Sequence, residues 1–145
     1  MKKLILFSLI GLLCNFQSYS QEFSIVGTWK QVSMQIFENG QLVSNVINTG
    51  YGQQLKSWSK TSFLFAGKSI DNNGVSYSFG NGNYTLDGNH YTEDINVHVS
   101  PNYEGMKLKL HLELKNDTLT QIFPVRYDWS YDKNNYWIEK FVRVD

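Results

Sequence analysis

The sequence predicts an all-β protein, an antiparallel meander closed into a barrel of about eight to ten strands with little helix. Composition is the first reason, because Ala66 is the only alanine of a chain that holds 4 Trp, 9 Tyr and 9 Phe. Alanine favours helices, whereas aromatic residues suit strands. The second reason is the spacing of turn signals such as Asn39-Gly40 and Asp87-Gly88, which recur about every 8 to 15 residues. The third is strict apolar–polar alternation in two segments.

The N-terminal segment has the pattern of a secretory signal peptide. Lys2 and Lys3 precede an apolar run at residues 4–13 that is too short to span a bilayer. Ser18 and Ser20 supply small residues at positions −3 and −1, which predicts cleavage after Ser20. We therefore expect residues 1–20 to be the signal peptide and residues 21–145 to form a single barrel domain.

Cys14, the only cysteine, offers an alternative in which the protein is lipid-anchored. Lipoprotein processing requires a small residue just before the cysteine, and the bulky Leu13 disfavours it. If cleavage follows Ser20, the exported domain has neither a disulfide nor a thiolate nucleophile. Its stability then depends on packing.

Charge and length limit the partners of the domain. Loss of Lys2 and Lys3 from 13 basic residues leaves 11 against 13 acidic ones, without a long run of either sign. This balance does not indicate a basic surface of the kind that binds nucleic acid or an anionic membrane. No second apolar stretch approaches the roughly 20 residues of a transmembrane segment. We expect an exported protein, periplasmic or extracellular, whose protein partners and oligomeric state the sequence does not indicate.

The clearest strand covers Met106 to Lys115, where an apolar residue alternates with a polar one. A second covers Tyr91 to Val99, with Tyr91, Glu93, Ile95, Val97 and Val99 on one face and Thr92, Asp94, Asn96 and His98 on the other. The other predicted strands are residues 24–37, 41–47, 53–59, 61–66, 75–79, 83–86, 118–127 and 136–144. Turn signals separate them, including Asp71 to Gly74, Gly80-Asn81-Gly82, Asn116-Asp117 and Asp132 to Asn135. So many strands favour a closed barrel, which has no exposed edges, over the alternative of a two-sheet sandwich.

The segment from Phe23 to Ser33 contains Gly27-Thr28-Trp29 and resembles the opening of the calycin superfamily, which includes the lipocalins and the intracellular fatty-acid-binding proteins. Their first strand carries a Gly-x-Trp whose tryptophan closes one end of the barrel. A basic residue near the C-terminus packs across it. The resemblance implies that Gly27, Trp29 and Arg143 close the barrel here.

Further segments resemble one subgroup, the small secreted bacterial lipocalin-like proteins of unassigned function. They are residues 56–63, residues 82–86 with Tyr91-Thr92-Glu93, and residues 137–144. The chain also departs from better-known members. Residues 41–53 lack the helical period of a fatty-acid-binding protein's lid, and the disulfides of many secreted lipocalins are missing. The resemblance therefore implies a barrel but assigns no ligand class.

Motifs for catalysis, cofactors or metal binding do not occur in the sequence. His90, Asp94 and His98 share a predicted strand face, but positions four apart on a strand are separated by roughly 13 Å, too far to share one ion. A solvated polar face explains them better. His111 is likewise expected at the surface, since Lys109 and Glu113 flank it on the same face. We expect no cofactor, no metal and no catalysis.

Glu93 and Glu139 stand out because each interrupts an apolar strand face. An inward carboxylate must be paired, hydrogen-bonded or protonated. Arg143 shares the predicted face of Glu139, and the candidates to meet Glu93 across strands are Arg126, Lys56, Tyr84 and Tyr127. A structural pair and a ligand-contacting polar group remain open alternatives. Two facing carboxylates also serve glycosidases, but the sequence does not fix their separation.

The aromatic residues indicate either a cavity or a filled core, because small barrels are often packed solid. We expect a non-enzymatic protein that holds a small, largely apolar ligand in the barrel, its polar end oriented by Glu93, Arg126 or Tyr127. The candidate ligand-binding residues are Trp58, Phe65, Tyr84, Glu93, Arg126, Tyr127, Trp137 and Glu139. The alternative is a protein- or glycan-interaction module with a filled core, which uses the aromatic turn from Tyr131 to Trp137. A barrel enzyme ranks third.

Overall fold

The computed structural model describes residues 24–47, 52–71 and 74–145. The predicted signal peptide, Cys14, Phe23 and the centre of the turn at Asp71 to Gly74 lie outside the described residues. The described strands are β1 (Gly27–Glu38), β2 (Gln41–Ile47), β3 (Gly52–Trp58), β4 (Ser62–Asp71), β5 (Gly74–Asp87), β6 (His90–His98), β7 (Lys107–Lys115), β8 (Thr118–Phe123) and β9 (Tyr136–Arg143). A short 3₁₀ turn at Pro101–Tyr103 is the only helical element in this part of the chain.

The strands form one antiparallel sheet that closes on itself. Each strand from β3 to β8 pairs with the next, and β1 pairs with both β3 and β9. Eight strands thus make the barrel, while β2 pairs with the C-terminal half of β1. The β1–β9 register runs from Trp29 opposite Arg143 to Phe37 opposite Tyr136. The predicted closed barrel is confirmed, and the sandwich alternative is not what forms.

The segment Gly80-Asn81-Gly82 does not form the turn that the sequence predicts. It lies inside β5, which continues as one strand of 14 residues. A Cβ on Gly80 would lie 2.5 Å from the Phe65 ring, and one on Gly82 would lie 2.0 Å from the backbone oxygen of Asp94. These glycines are needed because rings and backbone approach the strand closely.

A β-bulge in β6 reverses the predicted faces of its last residues. Gly82 pairs with Ile95 and Asn81 with Val97, so Asn96 is the extra residue. Val97, predicted to point inward, is 41% exposed. His98, predicted to be solvated, turns inward and packs against Phe65 with 5.7 Å between ring centroids.

One end of the barrel, here called the closed end, is filled by side chains. Buried Trp29 donates from Nε1 to the backbone oxygen of Ile25 at 2.9 Å. The Arg143 guanidinium lies 4.3 Å from the Trp29 ring centroid and donates to the backbone oxygens of Val26 and Ser24. Arg143 thus covers the Trp29 ring at the closed end. Gly27 has a φ of +133°, a conformation that side chains rarely adopt, which explains the glycine there.

Strand β8 is shorter than the sequence predicts. It ends at Phe123, and residues 124–135 form a loop that crosses the outside of β7. Arg126 and Tyr127 therefore lie on this loop and not on a strand face of the barrel. Tyr127 is 94% exposed.

Candidate functional site

A cavity of about 290 Å³ occupies the barrel interior on the side opposite the closed end. Its walls are mostly aromatic and aliphatic, and charged or amide side chains lie at its base. The lining residues are Gln54, Lys56, Phe65, Ser78, Glu93, Ile95, His98, Val99, Tyr103, Leu108, Leu110, Gln121, Phe123, Trp137 and Glu139. The volume is close to the lower limit of the range of about 300–1,000 Å³ for small-molecule sites.

The base of the cavity is a layer of polar side chains, the polar cluster, made of Gln31, Lys56, Glu93, Gln121 and Glu139. Each member lies two positions along its strand from a buried apolar residue of the closed end: Trp29, Trp58, Tyr91, Leu119 and Phe141. Because alternate residues of a strand share a face, this spacing stacks the polar cluster directly on the filled core. The cluster separates the packed part of the barrel from the open part.

Lys56 and Glu93 form a buried ion pair. Lys56 Nζ lies 2.5 Å from Glu93 Oε1, and the two side chains are only 6% and 5% exposed. The ammonium also lies about 5 Å from the ring centroids of Trp58 and Phe63, which adds cation–π attraction. Of the candidate partners for Glu93, Lys56 is therefore the one that meets it across strands.

Gln121 is fully buried, and its amide orientation is determined by Lys56. Its Oε1 lies 3.5 Å from Lys56 Nζ, which can only donate, so Nε2 must point the other way. Nε2 has no hydrogen-bond partner among the described residues. A buried donor without an acceptor costs about 1–3 kcal/mol.

Glu139 lies opposite Gln121 in the β8–β9 register. Its Oε1 accepts a hydrogen bond from Gln31 Nε2 at 2.9 Å. The pKa of Glu139 is raised to about 7, chiefly because the barrel wall shields the carboxyl from bulk water, and secondarily by the negative Glu93; Lys56 and the Gln31 hydrogen bond act in the opposite direction. The side chain is nevertheless partly accessible, because it lines the cavity. Arg143 does not hold Glu139, contrary to expectation, because Phe141 lies between them on β9.

Aromatic side chains surround the open end of the cavity. His98 contacts Tyr103 with 4.7 Å between ring centroids, and Phe123 contacts Trp137 with 5.2 Å. Nδ1 of His98 accepts a hydrogen bond from the Ser100 backbone N–H at 2.9 Å, which holds the ring at this position. Trp137 is 37% exposed, so it lies at the boundary with solvent.

The candidate ligand-binding residues fall into three places. Phe65, Glu93, Trp137 and Glu139 line the cavity. Trp58 and Tyr84 lie deeper, where each packs on Tyr91 at the closed end.

The remaining two candidates, Arg126 and Tyr127, line a cleft on the outside of the barrel together with residues of β6 and β7. They meet neither Glu93 nor the interior, because β8 ends before them. The cleft is larger than the cavity, about 730 Å³, but its charged side chains are exposed: those of Lys107 and Arg126 are 71% and 66% exposed. Exposed charges remain solvated and bring little binding energy. We therefore take the interior cavity as the candidate site.

Sequence reasoning missed Gln31, Gln121 and His98 as interior groups. The sequence does contain a signal for Gln121. Like Glu93 in β6 and Glu139 in β9, it interrupts an apolar strand face, on which Leu119 and Phe123 flank it. Gln31 has a similar signal, because it lies two positions after Trp29 and therefore on the same face of β1. His98 has none, because a single extra residue leaves no mark on the apolar pattern.

The described part of the chain contains no group of three or more His, Cys, Asp or Glu side chains that could hold a metal ion. In the same residues, no helix is long and apolar enough to cross a membrane.

Two crystal structures are similar to this chain at low sequence identity. An uncharacterized protein from Bacteroides eggerthii DSM 20697 shares 15% identity with a TM-score of 0.49, over 83% of this chain and 100% of that one. A lipocalin-like protein from Bacteroides uniformis ATCC 8492 shares 19% identity with a TM-score of 0.47, over 82% of this chain and 97% of that one.

No curated protein matches the sequence. A family model matches residues 24–145, which include every strand of the barrel, and its description is domain of unknown function, DUF4488. The chain belongs to this DUF4488 family and forms a closed, eight-stranded antiparallel barrel.

Proposed function

We propose that the protein is an exported, non-enzymatic binding protein that takes a small, largely apolar ligand into the barrel cavity. The observation that carries the proposal is the unequal filling of the interior. One half is packed by Trp29, Trp58 and their neighbours, while the other half leaves about 290 Å³ above the polar cluster. Apolar walls with a few convergent polar groups are typical of small-molecule sites.

The buried charges support a binding function over a solely structural one. A buried ion pair is weak evidence for stability, because the cost of desolvation offsets much of its attraction. Lys56 and Glu93 lie at the base of a cavity, where an apolar pair would pack at least as well. Polar groups in this position orient the polar end of a ligand.

The arrangement of the carboxylates favours binding without catalysis. A glycosidase uses two carboxyl groups that act independently, one of them as an acid and the other as a nucleophile or base. Glu93 is engaged by Lys56 at 2.5 Å, which leaves Glu139 as the only carboxyl group of the cavity without an ion pair among the described residues. Glu93 and Glu139 are therefore poorly suited to act as the separate acid and nucleophile, or acid and base, of a glycosidase.

The packing of the aromatic turn argues against the interaction-module alternative. Tyr131 packs on Tyr136 with 5.2 Å between ring centroids, and Tyr136 stacks on Phe37 at 4.5 Å. These rings contact one another and β1, so part of the aromatic surface of the turn is already covered within the fold.

Filling the cavity tests the proposal. Leu108→Trp places a large side chain in the cavity wall, whereas Glu113→Trp places the same side chain on the exposed face of the same strand. We expect ligands that raise the melting temperature of the wild type, found in a lipid and metabolite library, to lose their effect on Leu108→Trp and keep it on Glu113→Trp. Native mass spectrometry of protein from its own host should show a co-purified mass that Leu108→Trp lacks.

Two results would contradict the proposal. One is a library without any ligand that shifts the wild type, together with no co-purified mass. The other is equal binding to both variants, which would place the ligand outside the barrel.

A further inference from the structure

Resting on the proposed function, we propose that the ligand is an organic amine of aryl-alkyl type, whose ammonium group binds the Glu139 carboxylate inside the cavity. The juxtaposition that carries this inference is a carboxylate at the base of a cavity whose walls are aromatic. The ligand class is thereby narrowed from apolar molecules in general to monocations with an apolar body.

The first step is the charge of the polar cluster. It holds one cation, Lys56, and two carboxyl groups, Glu93 and Glu139. Lys56 already contacts Glu93 at 2.5 Å and Gln121 at 3.5 Å. Glu139 forms no salt bridge within the described part of the chain. When Glu139 is ionised, the polar cluster therefore carries a net charge of about −1. A cationic ligand balances this charge, whereas an anionic ligand increases the repulsion.

The second step concerns the atoms that Glu139 offers. Gln31 Nε2 donates to its Oε1 at 2.9 Å, and no hydrogen bond to Oε2 occurs among the described residues. The hydrogen bond from Gln31 thus orients the carboxyl group, and Oε2 can accept a further hydrogen bond from a ligand. A ligand ammonium has three donors and no acceptor, which matches the vacant oxygen.

The third step concerns the walls. Phe65, Tyr103, Phe123 and Trp137 line the cavity above Glu139. Aromatic faces attract cations and also pack against an aryl group. A volume of about 290 Å³ is sufficient for a small amine, such as one phenyl ring on a short alkyl chain.

The protonation of Glu139 gives the inference an independent signature. Lys56 from β3 and Glu93 from β6 act on the charge of this carboxyl, while Gln31 from β1 donates to it and Gln121 from β8 lies opposite it. The charged Lys68 of β4 is exposed and lines an adjoining pocket with Glu139. The pKa of Glu139 is raised to about 7, mainly by desolvation, so near pH 7 a part of the molecules carries a proton there. An ammonium that binds the ionised form must displace this proton.

Isothermal titration calorimetry with three probes of similar size tests the inference. The probes are 2-phenylethylamine, 2-phenylethanol and 3-phenylpropanoate, used with the purified protein at pH 8, where the first is a cation and the third an anion. We expect the amine to bind at least about tenfold more tightly than the alcohol, the gain of one charge-assisted hydrogen bond, and the anion to bind most weakly. At pH 7, amine binding should release protons, measured from the heats in buffers of different ionisation enthalpy.

Glu139→Gln keeps the shape of the side chain and removes its charge. We expect this variant to lose the tenfold preference and the proton release while it binds the alcohol within about twofold of the wild type. Glu113→Gln, an exposed carboxyl on β7, should behave as the wild type.

Equal affinities for amine and alcohol, tighter binding of the anion, or a preference that survives in Glu139→Gln would overturn the inference. If the alcohol binds and the amine does no better, the inference fails while the proposed function stands. If none of the three probes binds, the inference also fails, and the library experiment on Leu108→Trp decides separately about the proposed function.

Discussion

Lys56 is the residue whose removal we expect to cost the most at the polar cluster. Lys56→Met keeps the length of the side chain but leaves the Glu93 carboxylate buried without its partner. Loss of one partner of a buried pair costs about 3–5 kcal/mol. Urea unfolding at pH 7 should show a decrease of that size in the free energy of unfolding.

The double variant Lys56→Met/Glu93→Leu is the control, because it removes both charges from the interior. We expect it to recover most of the loss, since apolar pairs replace buried ion pairs at little cost. A double variant as unstable as Lys56→Met would mean that the pair itself, and not the orphaned carboxylate, determines stability.

Glu139 should make the stability depend on pH. Its pKa is raised by desolvation to about 7 in the fold, above the ordinary value of 4.5, so the folded state binds more protons than the unfolded chain between these values. Stability should therefore fall as the pH rises from 4.5 to 7 and level off above 7. The difference is at most about 3 kcal/mol.

Urea midpoints of wild type and Glu139→Gln between pH 4.5 and 8 measure this effect. The decline specific to Glu139 should be missing in Glu139→Gln and present in Glu113→Gln. Parallel pH profiles of wild type and Glu139→Gln would show that the carboxyl group keeps an ordinary pKa.

Sequence reasoning identified the carboxylates of the site but not their surroundings. Glu93 and Glu139 are visible because each breaks an apolar face. Their environments depend on which strands are neighbours, and this information is not contained in any one strand. Lys56 was therefore one of four candidate partners for Glu93, and Arg143 was expected where Gln31 forms the bond to Glu139.

Strand β5 depends on Gly82, which lies opposite the bulge of β6. A Cβ at this position would lie 2.0 Å from the Asp94 backbone oxygen and 3.0 Å from the Phe63 ring. Because backbone cannot move aside as a flexible side chain can, we expect Gly82→Ala to destabilise the protein by about 3 kcal/mol, the upper end for overpacking. Thermal and urea unfolding measure the change.

Asn83→Ala is the matched control, since Asn83 is the exposed neighbour of Gly82 on the same strand. We expect it to change stability by less than about 0.5 kcal/mol. A tolerated Gly82→Ala would mean that β5 and β6 do not approach each other this closely.

The strands that could be predicted are those with an unbroken period of two. In β7 the alternating leucines point inward as expected, with Leu110 and Leu112 almost fully buried. The turn predicted at Gly80-Asn81-Gly82 in β5 was wrong, because glycine permits close approach of strands as well as turns. The bulge in β6 could not be predicted, since it depends on the partner strand and reverses every face after it.

The whole barrel was predictable from composition and from the Trp29–Arg143 pairing, but its cavity was not. Whether a barrel is filled depends on how side chains of different strands meet at one height, which requires the register. In this protein the register brings Trp58, Tyr91 and Phe141 into contact at the closed end, whereas the rings above the polar cluster line the walls of a cavity. The proposed function therefore depends on the half of the molecule about which the sequence says least.

Closure of the barrel should depend on Trp29 more than on Arg143. Trp29 is fully buried, donates to Ile25 and lies where β1 meets both β3 and β9, so Trp29→Ala should lower the free energy of unfolding by about 3–5 kcal/mol. Arg143 is about one-third exposed, and Arg143→Met retains part of the packing over the indole, so we expect a loss of about 1–2 kcal/mol.

A double-mutant cycle on Trp29 and Arg143, measured by urea unfolding, isolates their contact. The two losses should not add, because Arg143 has no ring to cover once Trp29 is removed, and the coupling should be about 0.5–1 kcal/mol. Additive losses would mean that Arg143 acts only through its hydrogen bonds to Val26 and Ser24. In that case the Arg143 guanidinium would join the two ends of the barrel domain through these hydrogen bonds alone, and the indole would serve only to fill the closed end.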